Sequence, residues 1–140
     1  MNNDKVQLKI IDLSGSFLVA KLAALSEDDE LLSASAYDGE FVSISTTPDE
    51  NSIVCENTYR NRRQLENVAK LETGWSLLRV LGQLEFEMVG VIARFSSALA
   101  EAKIPLFCLS TFDTDYILVK ESRRAEALQV LQDAGIEHVQ

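Results

Sequence analysis

WSLLRVLGQLEFEMVGVIARFSSALAEAKIPLFCLSTFDTDYILVKESRRAEALQVLQDAGIEHV, residues 75–139, alternates apolar runs of strand length with two stretches of helical period. Ser76 to Leu81 is apolar except for Arg79 and is closed by Gly82, so it reads as a strand. Met88, Val91, Ile92, Phe95, Leu99 and Ala102 then gather on one face of a helix that ends near Lys103. Ile104 to Ser110 is a second apolar run, Asp113 to Asp115 a polar break, and Tyr116 to Lys120 a third run rich in β-formers, which together predict a hairpin. Ser122 can cap a second helix with Ala125, Leu128 and Leu131 as its buried stripe, and Gly135 can end it in the left-handed region. Ile136 to Val139 is the last strand.

The order strand, helix, strand, strand, helix, strand requires two crossovers of one hand. It therefore predicts an α+β chain built as a ferredoxin-like βαββαβ plait, with four antiparallel strands under two helices.

The first half repeats this theme more faintly. An offset of 65 residues lays FVSISTTPDENSIVCE, residues 41–56, beneath LFCLSTFDTDYILVKE, residues 106–121, and matches Ser45, Thr46, Val54 and Glu56 with Ser110, Thr111, Val119 and Glu121. Upstream, Leu8 to Leu13 and Phe17 to Leu22 read as strand pieces around Ser14-Gly15-Ser16, and Ser26 can cap a short helix over Leu31 and Leu32. Downstream, Thr58 to Glu66 reads as a helix and Val68 to Glu72 as a short strand. Two tandem halves follow, residues 1–73 and 74–140, with sheets that could pair edge to edge.

At 140 residues and 46% hydrophobic content the chain can bury a core, and two prolines and six glycines leave no low-complexity linker. Thirteen basic against 22 acidic residues give a formal charge of −9, which opposes association with nucleic acid or an anionic membrane. No charged and apolar leader pattern follows Met1 and no apolar run approaches bilayer length, so a soluble, cytoplasmic setting is expected. Cys55 and Cys108 both sit in apolar runs, where buried free thiols are expected rather than a disulfide.

Glu87-Met88-Val89-Gly90-Val91-Ile92 resembles the ACT-domain signature, in which the loop after strand one carries a glycine just as the helix starts. Gly74-Trp75 and the stretch from Ser110 to Glu121 extend the resemblance to small proteins with two ACT domains in tandem, related to the regulatory domains of aspartate kinases and to cytosolic arginine sensors. Val89 stands where many ACT loops carry proline. The resemblance implies a regulatory protein, with paired ACT units that bind a small amino acid between them and with no catalytic role.

An amino acid needs N–H donors for its carboxylate and oxygen acceptors for its ammonium. Met88, Val89, Gly90 and Val91 would present the free N–H groups and positive dipole end of a helix, with Gly90 allowing close approach. Ser110, Thr111, Asp113 and Asp115 would supply oxygens at the hairpin tip. A solvated turn bonding its own backbone is the competing account of that tip. Arg60, Arg62 and Arg63 read as a solvated helix face, His138 lacks an acid partner at any diagnostic spacing, and Trp75 reads as a packing anchor.

No cofactor, no metal and no catalytic residue is expected. An acylphosphatase needs an arginine in the loop after strand one, and residues 82–87 offer only Glu85 and Glu87 as charges. RNA recognition on this plait needs a basic face with aromatics on two strands, which the charge and Leu77, Leu78 and Tyr116 do not provide. The alternative to ligand sensing is an oligomerisation or interaction module, and a homodimer is possible under either.

Overall fold

The computed structural model describes residues 8–23, 29–67, 69–81 and 90–140. Along the chain lie β1 (Lys9–Leu22), two 3-10 turns (Glu30–Leu32 and Ala34–Ala36), β2 (Val42–Thr46), β3 (Asn51–Glu56) and α1 (Tyr59–Leu65). There follow β4 (Ala69–Val80), α2 (Val91–Glu101), β5 (Phe107–Ser110), β6 (Asp115–Lys120), a 3-10 turn (Glu121–Arg123), α3 (Arg124–Asp133) and β7 (Glu137–Val139). The chain divides into two compact units, Met1–Ser14 with Trp75–Gln140, and Gly15–Gly74.

The first unit has the expected element order β4-α2-β5-β6-α3-β7. Antiparallel pairing sets Trp75 opposite Lys120 and Arg79 opposite Tyr116, while Phe107 lies opposite Leu118 in the β5–β6 hairpin. Its strands run β7-β1-β4-β6-β5, so residues 9–14 of β1 enter between the first and last strands of the plait. Lys9 and Ile11 pair in parallel with Glu137 and Val139. The expectation of four antiparallel strands is corrected to five, one pair parallel. The reason is apolar: Leu8 and Ile10 are buried in the same core as β4 and β6, and Asp12 forms an ion pair with Arg124 of α3.

That core places Leu78, Val80, Ile117 and Val119 of the sheet beneath Val91, Phe95 and Leu99 of α2 and Ala127 and Leu131 of α3. The spacing of four along α2 is the buried stripe read from sequence. On α3 the stripe differs. Glu121–Arg123 takes a 3-10 turn, so α3 opens at Arg124 without a side-chain cap, Ser122 caps nothing, and Ala127 rather than Ala125 faces the core. Gly135 ends the helix at φ +88, as expected of a left-handed terminator.

In the second unit the order is strand, two 3-10 turns, β2, β3, α1, strand, with the strands arranged β2-β3-β1-β4. This is the plait order with 3-10 turns where its first helix would stand. Asp29 caps them, its Oδ1 accepting from the Leu31 N–H at 2.9 Å, and extended Ser33 divides them while its hydroxyl meets that of Ser35 at 2.9 Å. Serines that bond locally compete with helix propagation. The Ser26 cap lies outside the described residues. Leu18, Ala20, Leu22, Ile53, Cys55, Tyr37 and Leu65 form this unit's core.

Two expected breaks are absent. Gly15, at φ +101, continues β1 instead of dividing it into two pieces, and Gly74, at φ +79, lets β4 join the two runs read as separate strands.

The internal repeat is real in form but shifted by one residue. Asn51–Glu56 and Asp115–Lys120 both bury their third to fifth residues, Ile53-Val54-Cys55 and Ile117-Leu118-Val119, and so align at 64 residues rather than 65. The preceding turns agree: the Thr47 N–H donates to Glu50 O at 2.9 Å and the Thr111 N–H to Thr114 O at 2.8 Å. The 65-residue identities of Ser45, Thr46, Val54 and Glu56 were therefore coincidental. A slip of one reverses every side chain across a sheet.

Both cysteines are free. Cys55 is buried, whereas Cys108 is exposed on edge strand β5, contrary to the expectation of a buried thiol there. Burial, with a smaller contribution from Glu56, pushes the Cys55 thiol up to about 12. Burial likewise raises Tyr37, whose hydroxyl donates to Leu31 O at 2.6 Å. The unfolded chain releases the Cys55 proton near the ordinary thiol value of 9.0 while the fold retains it. Stability should thus hold below about pH 9 and fall as pH rises from there toward 12. Urea midpoints between pH 8 and 11 check this, and Cys55→Ala should flatten the decline.

Candidate functional site

The register of β4 with β6 fixes where the predicted residues lie. Because Arg79 faces Tyr116, the chain leaves β4 at the same end of the sheet at which the β5–β6 hairpin turns. Thr114 fastens the two together. It is 4% exposed, and its hydroxyl donates to Val80 O, the last residue of β4, at 2.7 Å.

Met88 and Val89 lie outside the described residues. Gly90 is the N-cap of α2 at φ +81, with no side-chain cap, and among the described residues an added Cβ would meet nothing within 4 Å. A left-handed glycine beside open space is what close approach to the first turn of a helix requires. Among the described residues no neighbour packs against that position. Val91, by contrast, is buried and belongs to the core stripe.

At the hairpin tip the oxygens are drawn into the turn. The Ser110 hydroxyl donates to Asp115 Oδ1 at 2.6 Å, and Thr111 Oγ1 donates to Thr114 O at 3.2 Å while accepting from the Thr114 N–H at 3.4 Å. Asp113 and Phe112 are exposed, the latter by 75%. The structure brings Ser110, Thr111 and Asp115 together as a self-bonded turn. Thr114, which anchors it, was missed in sequence because a threonine between two aspartates looks like any turn residue. Thr114→Val, close to isosteric, should remove this buried bond to the Val80 carbonyl and cost about 1–2 kcal/mol, read by denaturant unfolding. An unchanged midpoint would show that the bond contributes nothing.

Trp75 packs edge-on against Phe107 at 6.4 Å, with Lys120 Nζ 4.4 Å from its ring centroid. The arginines of α1 are engaged: Arg60 with Asp38 at 2.8 Å, Arg62 with Asn57 at 3.3 Å, and Arg63 with Glu66 at 3.3 Å. Two grooves on the units, one between α2 and α3 lined by Arg94, Ala98, Glu101 and Asp133 and one beside Lys21 and Lys70, contain none of the predicted site residues. Among the described residues no helix is long and apolar enough to cross a membrane.

A ferredoxin-like plait whose α2 opens on a left-handed glycine places the chain in the class of small α+β domains. The ACT domain model matches residues 70–133. A protein of Agrobacterium tumefaciens solved by structural genomics is 32% identical, with a TM-score of 0.79 over 95% of this chain and 92% of its own. Residues 70–133 thus belong to the ACT-domain family. A stretch of 59 residues, 41% of the chain, is 37% identical to the cytosolic arginine sensor for mTORC1 subunit 1 of Homo sapiens and spans 18% of that protein's length. A putative C-terminal regulatory domain of aspartate kinase from Porphyromonas gingivalis shares the fold, with a TM-score of 0.58 at 17% identity over 91% of this chain and 95% of its own. ACT domains are in general regulatory domains that bind amino acids.

Proposed function

We propose that this chain is a non-catalytic regulatory module that binds a small amino acid where the chain enters α2. Gly90 carries the reading. Its left-handed backbone, with open space at the Cβ position among the described residues and no side-chain cap on the helix behind it, leaves the first turn of α2 to receive a carboxylate. Met88, Val89 and Val91 frame that approach in sequence. Asp113 and Asp115, with Ser110 and Thr111, supply the oxygens for the ammonium, which would displace the Ser110 hydroxyl as donor to Asp115. The arginine sensor and the aspartate kinase regulatory domain support the class of ligand.

Thermal melting of the full chain against the twenty amino acids tests the proposal. At least one should raise the midpoint, since a ligand at ~100 times its Kd adds about 2.7 kcal/mol. Gly90→Val should abolish that response, because a β-branched residue strains φ +81 and fills the open space. No shift with any amino acid at millimolar concentration would overturn the reading.

A further inference from the structure

Lys21, Leu22, Ala23, Asn67, Ala69 and Lys70, all in the second unit, line a groove of about 300 Å³. Lys21 and Leu22 end β1, while Ala69 and Lys70 begin its neighbour β4, so adjacent strands bring the two lysines to one cleft. In this chain of formal charge −9, five described cations sit on carboxylates: Lys9 pairs with Glu137, Arg60 with Asp38, Arg63 with Glu66, Arg123 with Glu126 and Arg124 with Asp12. Among the described residues, Lys21 and Lys70 form no ion pair. Two ammonium groups at one groove repel each other, and an acidic chain has carboxylates to spare for neutralising them.

We propose that this groove is a second ligand site, distinct from the helix end at Gly90, and that it takes a small carboxylate with a short apolar body. The lysines supply the charge, the Asn67 amide a donor, and Ala23 and Ala69 the apolar surface over buried Leu22. Inorganic phosphate would leave that apolar surface bare. A polyanion would meet the repulsion of the net charge. The volume stands at the low end of the ~300–1,000 Å³ typical of small-molecule sites, which suits a ligand of a few carbons.

Isovalerate and its neutral isostere isovaleramide separate the charge requirement from the shape requirement. In ¹H–¹⁵N NMR titrations of the full chain, isovalerate should give saturable shifts at the amides of Lys21, Leu22, Ala23, Asn67, Ala69 and Lys70. Isovaleramide should bind at least about tenfold more weakly. Lys21→Gln and Lys70→Gln should each weaken isovalerate by about threefold, and added salt should weaken it further. Equal shifts with the amide, shifts spread over the surface, or an affinity that neither variant changes would overturn the proposal. The Gly90 and hairpin amides report in the same spectra, so failure here and failure of the helix-end site are distinguishable.

Discussion

Asn61→Ala should lower the unfolding free energy by about 3 kcal/mol and the melting midpoint by roughly 6–12 °C, more than its place on a charged helix suggests. Asn61 is 0% exposed. Its Oδ1 accepts from the Asp38 N–H at 2.8 Å, and its Nδ2 donates to Asp38 O at 3.0 Å and Glu56 O at 2.9 Å. One amide thus satisfies three backbone groups of the loop before β2 and the end of β3, and alanine leaves all three without it. Buried groups that lose a partner cost about 1–3 kcal/mol each, so an effect near 3 assumes partial recovery by water. Gln64→Ala, which removes a single bond to Ala36 O at 2.7 Å, should cost about 1 kcal/mol. Asn61→Asp keeps the acceptor but turns a carboxylate toward two carbonyls, and should be no milder than alanine. If Asn61→Ala costs no more than Gln64→Ala, the amide is not the clasp its geometry describes.

Why Asn61 escaped notice in the sequence is instructive. It stands three residues after Thr58, whose Oγ1 accepts from the Asn61 N–H at 3.1 Å, so it occupies the position where a capping box places Glu or Gln. Three arginines around it read as a solvated face, and those arginines do make surface contacts. The buried member of a polar cluster is set by tertiary partners 23 residues away, which local pattern does not encode.

The periodic segments behaved differently. The sequence places α1 from Thr58 to Glu66 and it forms over Tyr59–Leu65, and β6 and the stripe on α2 lie where the run of β-formers and the spacing of four put them. What pattern could not show was the insertion of residues 9–14 between β4 and β7, since a strand's neighbours depend on which apolar edges meet. The repeat was visible but misregistered. Side-chain identities suggested one register, whereas the matching runs of three buried residues, which only the fold reveals, set another. For the candidate site, sequence located Gly90, yet the bond from Thr114 to Val80 emerged only from the register.

Phe95→Ala should produce the largest loss of all, about 4 kcal/mol in denaturant unfolding. Phe95 is 0% exposed at the middle of the α2 stripe, flanked by Val91 and Leu99 and packed in the cluster that contains Leu78, Val80, Ile117 and Val119. Truncation removes the transfer energy of a phenyl group and leaves a void that a sheet cannot close, because its strands are held by their ladders. Phe95→Leu keeps most of the volume and should cost about 1.5 kcal/mol or less. Leu128→Ala, at a partly buried position on α3, should cost less than Phe95→Ala for the same reason in reverse. The ranking matters for function, because Phe95 stands five residues beyond Gly90 and fixes the helix whose first turn is the proposed carboxylate site. Phe95→Leu should therefore keep the thermal response to amino acid, while Phe95→Ala should diminish it. A cost for Phe95→Ala below about 1.5 kcal/mol would mean that α2 is not seated on the sheet by this stripe, and the helix-end site would lose its support.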